Sequence, residues 1–545
     1  MSNIDWIILI TSLSSIILYG IYKSTHTKNL DGYFLSNNSL PWYLVLLSIM
    51  GTQASAVTFL SAPGQAYTDG MRFVQYYFGL PLAMIVICIF FVPVFRKLKV
   101  YTAYEFLENR FDVKTRTFTS ALFLISRGLS TGISIYAPSI ILSSLLGWNI
   151  YYTNLVMGGL LIIYTMSGGA KAVAYTQQLQ LIIIIAGMFL AGYMVVHLLP
   201  ADMGFADALK SAGNHGRMNI ITGGMKNNHF DWKDKYNIWS GVIGGFFLAL
   251  SYFGTDQSQV GRYLTAKTER ESKIGLLMNG LVKVPMQFLI LLVGILVFSF
   301  YQYHKAPIYF DEAKVIAAKN TAYKDSLINI EQQYSNAKTT QNFLQLNELR
   351  SQYKSVLKKA LPGDDANDTN FIFLRFVIDN LPKGLVGLLI AVIFLAAWGS
   401  IAAALNALAS CTVVDFHKKF INKNCTEEKD YSISRWYTFG WGIFSIIVAM
   451  FAHNIGNSLI EAVNILGSLF YGVILGIFLV AFWIKHIKGN AVFWAAVVSE
   501  LLVILVYSLD IVSFLWLNVI GALLVIILSI ALQPLLALHS DKMVK

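Results

Sequence analysis

Long apolar runs alternate with short polar connections along almost the whole chain. Many of these runs reach about 20 residues, which as a helix is enough to span a hydrocarbon core of roughly 30 Å. The pattern therefore predicts an all-α polytopic membrane protein with about 13 transmembrane helices. The predicted spans are approximately residues 5–22, 43–66, 74–95, 118–146, 151–166, 172–198, 239–260, 275–301, 385–414, 436–452, 460–484, 491–507 and 511–536.

Two polar connections, 199–238 and 302–384, are much longer than the others. The second has helical periodicity between Asp311 and Leu361, which predicts an amphipathic helical hairpin. A solvated structural cap and a lid over a vestibule both fit this pattern. The predicted segments are a leading helix and linker (1–42), a first repeat (43–198), a loop (199–238), a second repeat (239–301 and 385–484), the helical loop (302–384) and two additional helices with a tail (485–545).

Two spans carry small and polar residues where a plain membrane anchor would carry leucine. Lipid cannot hydrogen-bond such polar groups, so they are expected to face a cavity or a site. Interrupted helices at mid-membrane depth are typical of secondary transporters, where they expose backbone carbonyls to ions. The small residues of the ninth span lie within 396–406, and the second span contains Gly51, Thr52, Gln53, Ser55 and Thr58.

Composition and charge agree with a membrane location. Of the 545 residues, 56% are hydrophobic and 13% are charged, whereas soluble chains carry about a quarter charged residues. The net charge of +11 comes from Lys and Arg in alternate connections, which the positive-inside rule explains better than a nucleic-acid surface. We therefore expect a multi-pass protein of the plasma membrane (the bacterial inner membrane), surrounded by lipid. The same rule predicts an outside N-terminus and a cytoplasmic C-terminus.

Several short motifs follow one another along this topology. They are SAVTFL at 55–60, YTAYEFLENRF at 101–111, GGAKAV at 168–173, QSQVGR at 257–262 and LPKGLVGLLIA at 381–391. In these motifs the chain resembles the sodium/solute symporter family, which includes sodium-coupled sugar, sialic acid, proline, iodide and monocarboxylate transporters. The resemblance extends from about residue 32 to about residue 483.

The resemblance implies a leucine-transporter-like fold of two inverted five-helix repeats, spans two to six and seven to eleven, with broken helices. The topology agrees, because an odd number of helices in each repeat inverts the second repeat. The implied function is a sodium-coupled symporter that imports a small polar solute, a sugar or a sugar acid, by alternating access. The alternatives are a proton-coupled or uncoupled carrier of the same fold and a membrane solute sensor. The sequence has no HExxH, GxSxG or phosphate-loop motif, so an enzyme is not expected.

The resemblance also implies a sodium ion site. Its ligands would be the backbone carbonyls of Gly51, Ala54 and Ala396 and the hydroxyl of Ser400. Oxygen ligands suit a hard cation such as sodium. The alternative explanation of the three small residues is close helix packing.

Two positions depart from the family pattern near this predicted site. Gly399 stands where the family usually has a hydroxyl residue, and Gln177 stands where it often has an acidic residue. Both changes remove oxygen or negative charge that would favour a cation. Some family members bind a second sodium ion, and the resemblance places Gln177, Ala402 and Ala403 where those members have an acidic residue and hydroxyls. We therefore expect at most one sodium ion per solute.

The solute contacts implied by the resemblance come from four spans. They are Ser55 and Thr58 on span two, Tyr77 on span three, Tyr252 on span seven and Lys283 on span eight. An aromatic ring beside hydroxyls suits a sugar, whose apolar face stacks while its hydroxyls form hydrogen bonds. Ordinary aromatic packing is the alternative for Tyr252.

Arg127 is a second cation inside an apolar span. Together with Lys283 it could hold a carboxylate, because a guanidinium presents a planar fork of donors to an anion. Alternatively, Arg127 reaches an interface or pairs with another helix. Glu461 and Glu500 also lie in apolar spans, and for both we expect a structural role.

Overall fold

A computed structural model describes residues 1–24, 30–167, 170–339, 343–363, 365–422, 427–452 and 458–543. Within these ranges the chain is almost entirely helical. The sheet found there consists of two short antiparallel strands, β1 (Met225–Lys226) and β2 (His229–Phe230). The all-α prediction is therefore confirmed. Gly168 and Gly169, which begin one of the family-like motifs, lie outside the described residues.

The helices follow the predicted spans closely. In the first half they are α1 (Asn3–Ser24), α2 (Leu30–Leu35), α3 (Trp42–Gln53), α4 (Ala56–Asp69), α5 (Leu80–Val86), α6 (Val92–Leu98), α7 (Glu105–Arg110), α8 (Val113–Leu146), α9 (Ile150–Ser167), α10 (Ala170–His197), α11 (Phe205–Asn214) and α12 (Gly245–Gly254). In the second half they are α13 (Gln257–Leu264), α14 (Glu269–Tyr303), α15 (Glu312–Lys319), α16 (Lys324–Thr339), α17 (Phe343–Ala360), α18 (Thr369–Asn380), α19 (Leu385–Cys411), α20 (Glu427–Phe451), α21 (Leu459–Trp483), α22 (Gly489–Ser508) and α23 (Phe514–Met543). Short π-helical segments at Ile87–Phe91, Ser240–Gly244 and Thr412–Ile421 continue helices at three places, and 3₁₀ turns cover Ser36–Asn38 and Gly70–Tyr77.

The described part of the chain holds nine helical stretches that are long and apolar enough to cross a membrane, together with three shorter apolar helices. Each predicted span coincides with a helix. A polytopic helical membrane protein is therefore confirmed, while the count of thirteen crossings stays a prediction.

The second span is interrupted where its small and polar residues lie. Helix α3 ends at Gln53 and α4 begins at Ala56, and between them Ala54 has φ −82° and ψ 78° while Ser55 is extended. The Ser55 N–H donates to the Gln53 carbonyl at 3.0 Å, whereas a regular helix would direct it to Gly51. Carbonyls at such a helix end lose their intrahelical donors and become available to other partners.

The ninth span, in contrast, is not interrupted at its small residues. Helix α19 runs without a break from Leu385 to Cys411. Alanine is the strongest helix former, so the alanines among these residues favour a continuous helix rather than a break. The expectation of broken helices therefore holds for the second span, and the small residues of the ninth span allow neighbouring helices to approach closely.

The described residues of 302–384 form a cap on one end of the helix bundle, and we call this end the hairpin end. Helices α15, α16 and α17 share a small hydrophobic core of their own, which includes Leu327, Tyr353 and Leu357. Asp311 caps the start of α15 by accepting a hydrogen bond from the Lys314 N–H. The segment is thus a helical hairpin preceded by one short helix.

An ion-pair cluster ties this cap together. The buried Asp368 carboxylate, just before α18, lies 2.9 Å from Arg350 Nη2 and 2.8 Å from Lys354 Nζ, and both cations belong to α17. Burial alone would raise the pKa of Asp368, but these two cations outweigh burial and hold the pKa below its ordinary value. The cap is therefore packed and paired as a folded unit.

Candidate functional site

A cavity of about 110 Å³ lies beside the break between α3 and α4. We call it the central cavity. Residues of α8, α12, α19 and α21 complete its wall. Six of the predicted sodium and solute ligands line it: Ser55, Thr58, Tyr77, Arg127, Tyr252 and Ser400. The structure thus brings hydroxyls, aromatic rings and a guanidinium to one place, although they are far apart in the sequence.

Of the four predicted sodium ligands, Ser400 lines this cavity, while Gly51 and Ala54 adjoin its lining residues at the helix break and Ala396 lies inside the continuous helix α19. The Ser400 hydroxyl hydrogen is shared between the carbonyls of Ala396 at 3.0 Å and Ala397 at 3.1 Å. A hydroxyl that donates one hydrogen bond keeps lone pairs that can coordinate a cation. The carbonyls of Gly51 and Ala54 belong to the helix break, so all four predicted ligands are neutral oxygens of the kind that sodium accepts.

Metal ions are commonly bound by groups of His, Cys, Asp or Glu side chains. Across the described ranges, no group of three or more His, Cys, Asp or Glu side chains is placed to hold a metal ion. A transition-metal site would need such a group.

Gln177 of α10 fills the space between the interrupted span and α19. Its amide oxygen accepts a hydrogen bond from Ser48 Oγ at 2.8 Å, and its amide nitrogen donates to Thr52 Oγ1 at 3.2 Å and to the Gly399 carbonyl at 3.0 Å. A neutral amide therefore occupies the position where the family often has a carboxylate. Its donor hydrogens point at oxygens that a cation would otherwise approach.

Steric crowding explains why Gly51 and Gly399, next to this amide, are glycines. A Cβ on Gly51 would lie 2.9 Å from Gln177 Cβ, and a Cβ on Gly399 would lie 2.4 Å from Gln180 Oε1. A hydroxyl residue at position 399 would therefore require Gln180 to move. Close packing, which was the alternative explanation for Gly51, is thus present in this structure and is compatible with a carbonyl ligand at the same residue.

Arg127 lies on the opposite side of the central cavity in a buried ion pair. It contacts Asp256, the residue that caps α13, and its Nη2 donates to Tyr471 Oη at 3.1 Å. Tyr471 Oη in turn donates to Asp256 Oδ2 at 2.7 Å. The guanidinium carbon also lies 5.3 Å from the centre of the Tyr252 ring. Arg127 therefore pairs with another helix, one of the two arrangements left open by the sequence.

Sequence reasoning missed both Asp256 and Tyr471. Asp256 follows the last turn of an apolar span, and an acidic residue there resembles an ordinary helix cap. Its partner Arg127 is 129 residues away, and such a pairing has no local signal. The available hint was charge complementarity between two intramembrane groups, since buried charges are usually paired.

On the hairpin side of the central cavity, polar contacts join the first repeat and the 199–238 connection to α21. Tyr76 Oη donates to Asn464 Oδ1 at 3.2 Å, and Tyr236 Oη donates to Glu461 Oε1 at 2.9 Å. Lys235 Nζ lies 3.1 Å from the same carboxylate. Contacts of this kind and the Arg127–Asp256 pair therefore lie at the two ends of the central cavity.

Lys283 does not line the central cavity. Its side chain is fully buried on α14, and its ammonium lies 5.8 Å from the centre of the Tyr77 ring, which does line the cavity. No described residue accepts a hydrogen bond from Lys283 Nζ. The sequence could not predict this position, because α14 is buried on several faces and its periodicity does not specify which face meets the cavity.

Comparison with known proteins gives a consistent picture. The model of the sodium:solute symporter family matches residues 33–332 and 352–499. The chain is 26% identical to a sodium/sialic acid symporter of Aliivibrio fischeri over 99% of this chain and 95% of that one. It is 24% identical to a sodium/glucose cotransporter of Vibrio parahaemolyticus, with 90% and 83% covered.

A solved structure of a Na⁺-coupled sialic acid symporter, in a substrate-bound outward-open state, has the same fold. The TM-score is 0.78 at 24% identity, and 98% of each chain is covered. This likeness concerns the fold, and the family match spans most of the chain. The resemblance seen in the motifs is thereby confirmed, and the chain belongs to the sodium:solute symporter family.

Proposed function

We propose that this sodium-coupled symporter imports a small carboxylated solute, a sugar acid in the first place. The observation that carries the proposal is the guanidinium of Arg127 in the wall of the central cavity, beside hydroxyls and an aromatic ring. A guanidinium binds a carboxylate through two parallel hydrogen bonds. The relatives that are sodium/sialic acid symporters support the same solute class.

The remaining cavity residues suit the rest of a sugar acid. Ser55, Thr58, Ser134 and Asn464 offer hydrogen bonds to hydroxyl groups, and the Tyr252 ring offers a face for the apolar side of a sugar. Lys283 acts indirectly in this arrangement, because its amino group lies 5.8 Å from the centre of the Tyr77 ring, which lines the cavity. It is a positioning residue rather than a direct contact.

The Arg127–Asp256 ion pair links binding of the solute carboxylate to a change in helix contacts. In this structure Asp256 already occupies one side of Arg127. A solute carboxylate that binds the same guanidinium competes with Asp256 and weakens the contact between α8 and the start of α13. Since that contact lies at the end of the cavity away from the hairpin, solute binding would favour opening of that end and release of the solute there.

Sodium would bind at the other wall, through Gly51, Ala54, Ala396 and Ser400. Its ligands come from both the interrupted span and α19, so the ion would hold two helices together that must separate for release. In the membrane we place the hairpin end and the N-terminus outside, and the Lys- and Arg-bearing alternate connections and the C-terminus at the cytoplasmic side, as the positive-inside rule predicts.

A small monocarboxylate is the second candidate. The central cavity is modest, at about 110 Å³. A three-carbon acid would use less of this space than a sugar acid. Relatives that are sodium-coupled monocarboxylate transporters, at 26% identity, fit this alternative.

Uptake into proteoliposomes tests the proposal. We expect radiolabelled sialic acid or glucuronate to accumulate with an inward sodium gradient and not with choline in place of sodium. Pyruvate and glucose serve as the comparison solutes. Sodium-driven uptake of glucose with no uptake of either acid would contradict the proposal, and preferential uptake of pyruvate would favour the second candidate.

A further inference from the structure

A second cavity, of about 280 Å³, lies between the cap and the end of the bundle. We call it the hairpin cavity. Its walls come from the end of α4, the 199–238 connection, the end of α14, and helices α16 and α17. The residues that matter most are Tyr67, Arg217, Phe298, Lys338, Arg350 and Lys354.

The hairpin cavity is strongly cationic. Four of its lining residues are Lys or Arg, and none of those described is Asp or Glu. Behind the wall, Asp368 pairs with both Arg350 and Lys354, so one carboxylate faces two cations. Arg217 and Lys338 have no carboxylate within salt-bridge distance in the described part of the chain. A net positive charge therefore remains at this cavity.

The two unpaired cations are held in place by neutral groups. Arg217 donates to the Thr68 carbonyl, while its buried Nε has no hydrogen-bond partner among the described residues. Burial lowers the pKa of Arg217, and the charge of Asp69, which lies beyond salt-bridge distance, only partly offsets this effect. Lys338 Nζ donates to the Tyr301 carbonyl at 3.0 Å. Backbone carbonyls position both cations without neutralising their charge.

We propose that the hairpin cavity is an outer binding site for a carboxylated sugar, occupied before the solute reaches the central cavity. The Lys and Arg side chains would form charge-assisted hydrogen bonds with the carboxylate. The rings of Tyr67, Phe298 and Tyr301 would offer apolar faces to the sugar ring. Tyr67 and Thr68 stand at the end of the helix that begins beside Ser55. From Thr58 to Thr68 the helix rises about 15 Å, so α4 connects the two cavities directly.

Part of this site lies outside the family pattern. Residues 333–351, which fall between the two matched stretches, contribute Lys338, Asn347 and Arg350 to the cavity. The site is thus a feature of this chain's own cap. The choice of a sugar acid as ligand rests on the proposed function, whereas binding of an anion at this cavity does not require transport.

The test is isothermal titration calorimetry. Glucuronate is titrated in sodium-free buffer into the full chain in phosphatidylcholine nanodiscs. Asn347 is exposed, so Asn347→Asp adds a negative charge to the cavity without removing a packed side chain. We expect it to weaken glucuronate binding about fivefold. Lys338→Gln should weaken binding about tenfold. Lys226→Gln, an exposed lysine at the same end of the bundle, is the matched control and should change nothing.

Glucose and inorganic phosphate serve as control ligands. Glucose has the sugar ring without the carboxylate, and phosphate has negative charge without the sugar ring. Glucose should not bind in this assay, and phosphate should bind more weakly than glucuronate. Glucuronate binding that is equal in the wild type, Asn347→Asp and Lys338→Gln would overturn the site, as would tighter binding of phosphate than of glucuronate. Asn347→Asp decides the matter even if Lys338→Gln does not fold.

The two proposals fail separately. If proteoliposomes take up no carboxylate but the sodium-free binding is present and is weakened by Asn347→Asp, the proposed function fails and the outer site stands. If uptake occurs and the sodium-free binding is absent or insensitive to both variants, the outer site fails and the proposed function stands.

Discussion

The two walls of the central cavity differ in charge. At one wall, the predicted sodium ligands are neutral oxygens, among them the Ala54 carbonyl at the helix break and the Ser400 hydroxyl on α19. At the other wall, Arg127 and Asp256 form a buried ion pair. A cation among neutral oxygens is stabilised by a nearby negative charge, and a solute carboxylate beside Arg127 would supply one. We infer that sodium and the carboxylate support each other's binding, and this effect is reciprocal between the two sites.

The ion-pair wall should show the largest effect. Arg127→Gln removes the proposed carboxylate partner, and we expect the ratio kcat/KM for uptake of the sugar acid to fall about 100-fold or more. The same change leaves Asp256 buried without its cation, which costs about 3–5 kcal/mol of stability. Uptake and thermal unfolding should therefore be measured together.

A double variant separates the two consequences of losing Arg127. Arg127→Gln with Asp256→Asn removes both charges, so the unfolding temperature should recover while uptake stays low. Arg375→Gln, which disrupts a partly exposed ion pair of the cap, is the control and should transport normally. Normal uptake by the double variant would show that the solute carboxylate binds elsewhere.

The neutral wall should limit coupling to one sodium ion. A second ion would need oxygens where Gln177, Ala402 and Ala403 lie, and Gln177 instead donates its amide hydrogens toward Gly399 and Thr52. At a tenfold sodium gradient and 100 mV, each sodium contributes about 3.7 kcal/mol, so a second ion would raise the maximum accumulation about 500-fold. Reversal-potential measurements in proteoliposomes should give a ratio near one sodium per solute. A ratio of two would reveal a second set of ligands.

The proposed first sodium site can be tested at Ser400. Ser400→Ala removes the hydroxyl ligand and should raise the half-saturating sodium concentration about tenfold, because one oxygen ligand is lost. Ser400→Thr keeps the hydroxyl and is the matched control. Sodium-free binding of glucuronate should be the same in all three proteins. An unchanged sodium dependence in Ser400→Ala would remove Ser400 from the site.

Local sequence patterns predicted the features that depend on neighbouring residues. The helix break appeared at Ala54 and Ser55, because polar and small residues cluster there and lipid cannot satisfy them. Helical periodicity likewise predicted the cap, since its helices bury an apolar stripe of their own. Both inferences need only residues that are close together in the chain.

Contacts between helices that are far apart in the sequence could not be predicted from local patterns. The partner of Arg127 is 129 residues away, and no local pattern indicates it. The position of Lys283 behind Tyr77 depends on the rotation of α14 in the bundle, which a helix buried on several faces does not reveal. The sequence suggested a packing role for Gly51 but could not show that Gln177 is its neighbour.

Tyr252 belongs to the ion-pair wall, and its conservative change Tyr252→Phe should show the smallest effect. Its ring lies beside the Arg127 guanidinium, while its hydroxyl accepts a hydrogen bond from Gln259 Nε2 at 2.7 Å. Tyr252→Phe keeps the ring and loses one hydrogen bond, so we expect uptake affinity to fall only about two- to threefold. Tyr252→Ala also removes the stacking face and should lower affinity about tenfold or more. The affinity of each variant for the solute should be measured in protein that elutes as a single species. If Tyr252→Phe and Tyr252→Ala bind the solute with equal affinity, Tyr252 has a packing role and does not contact the solute.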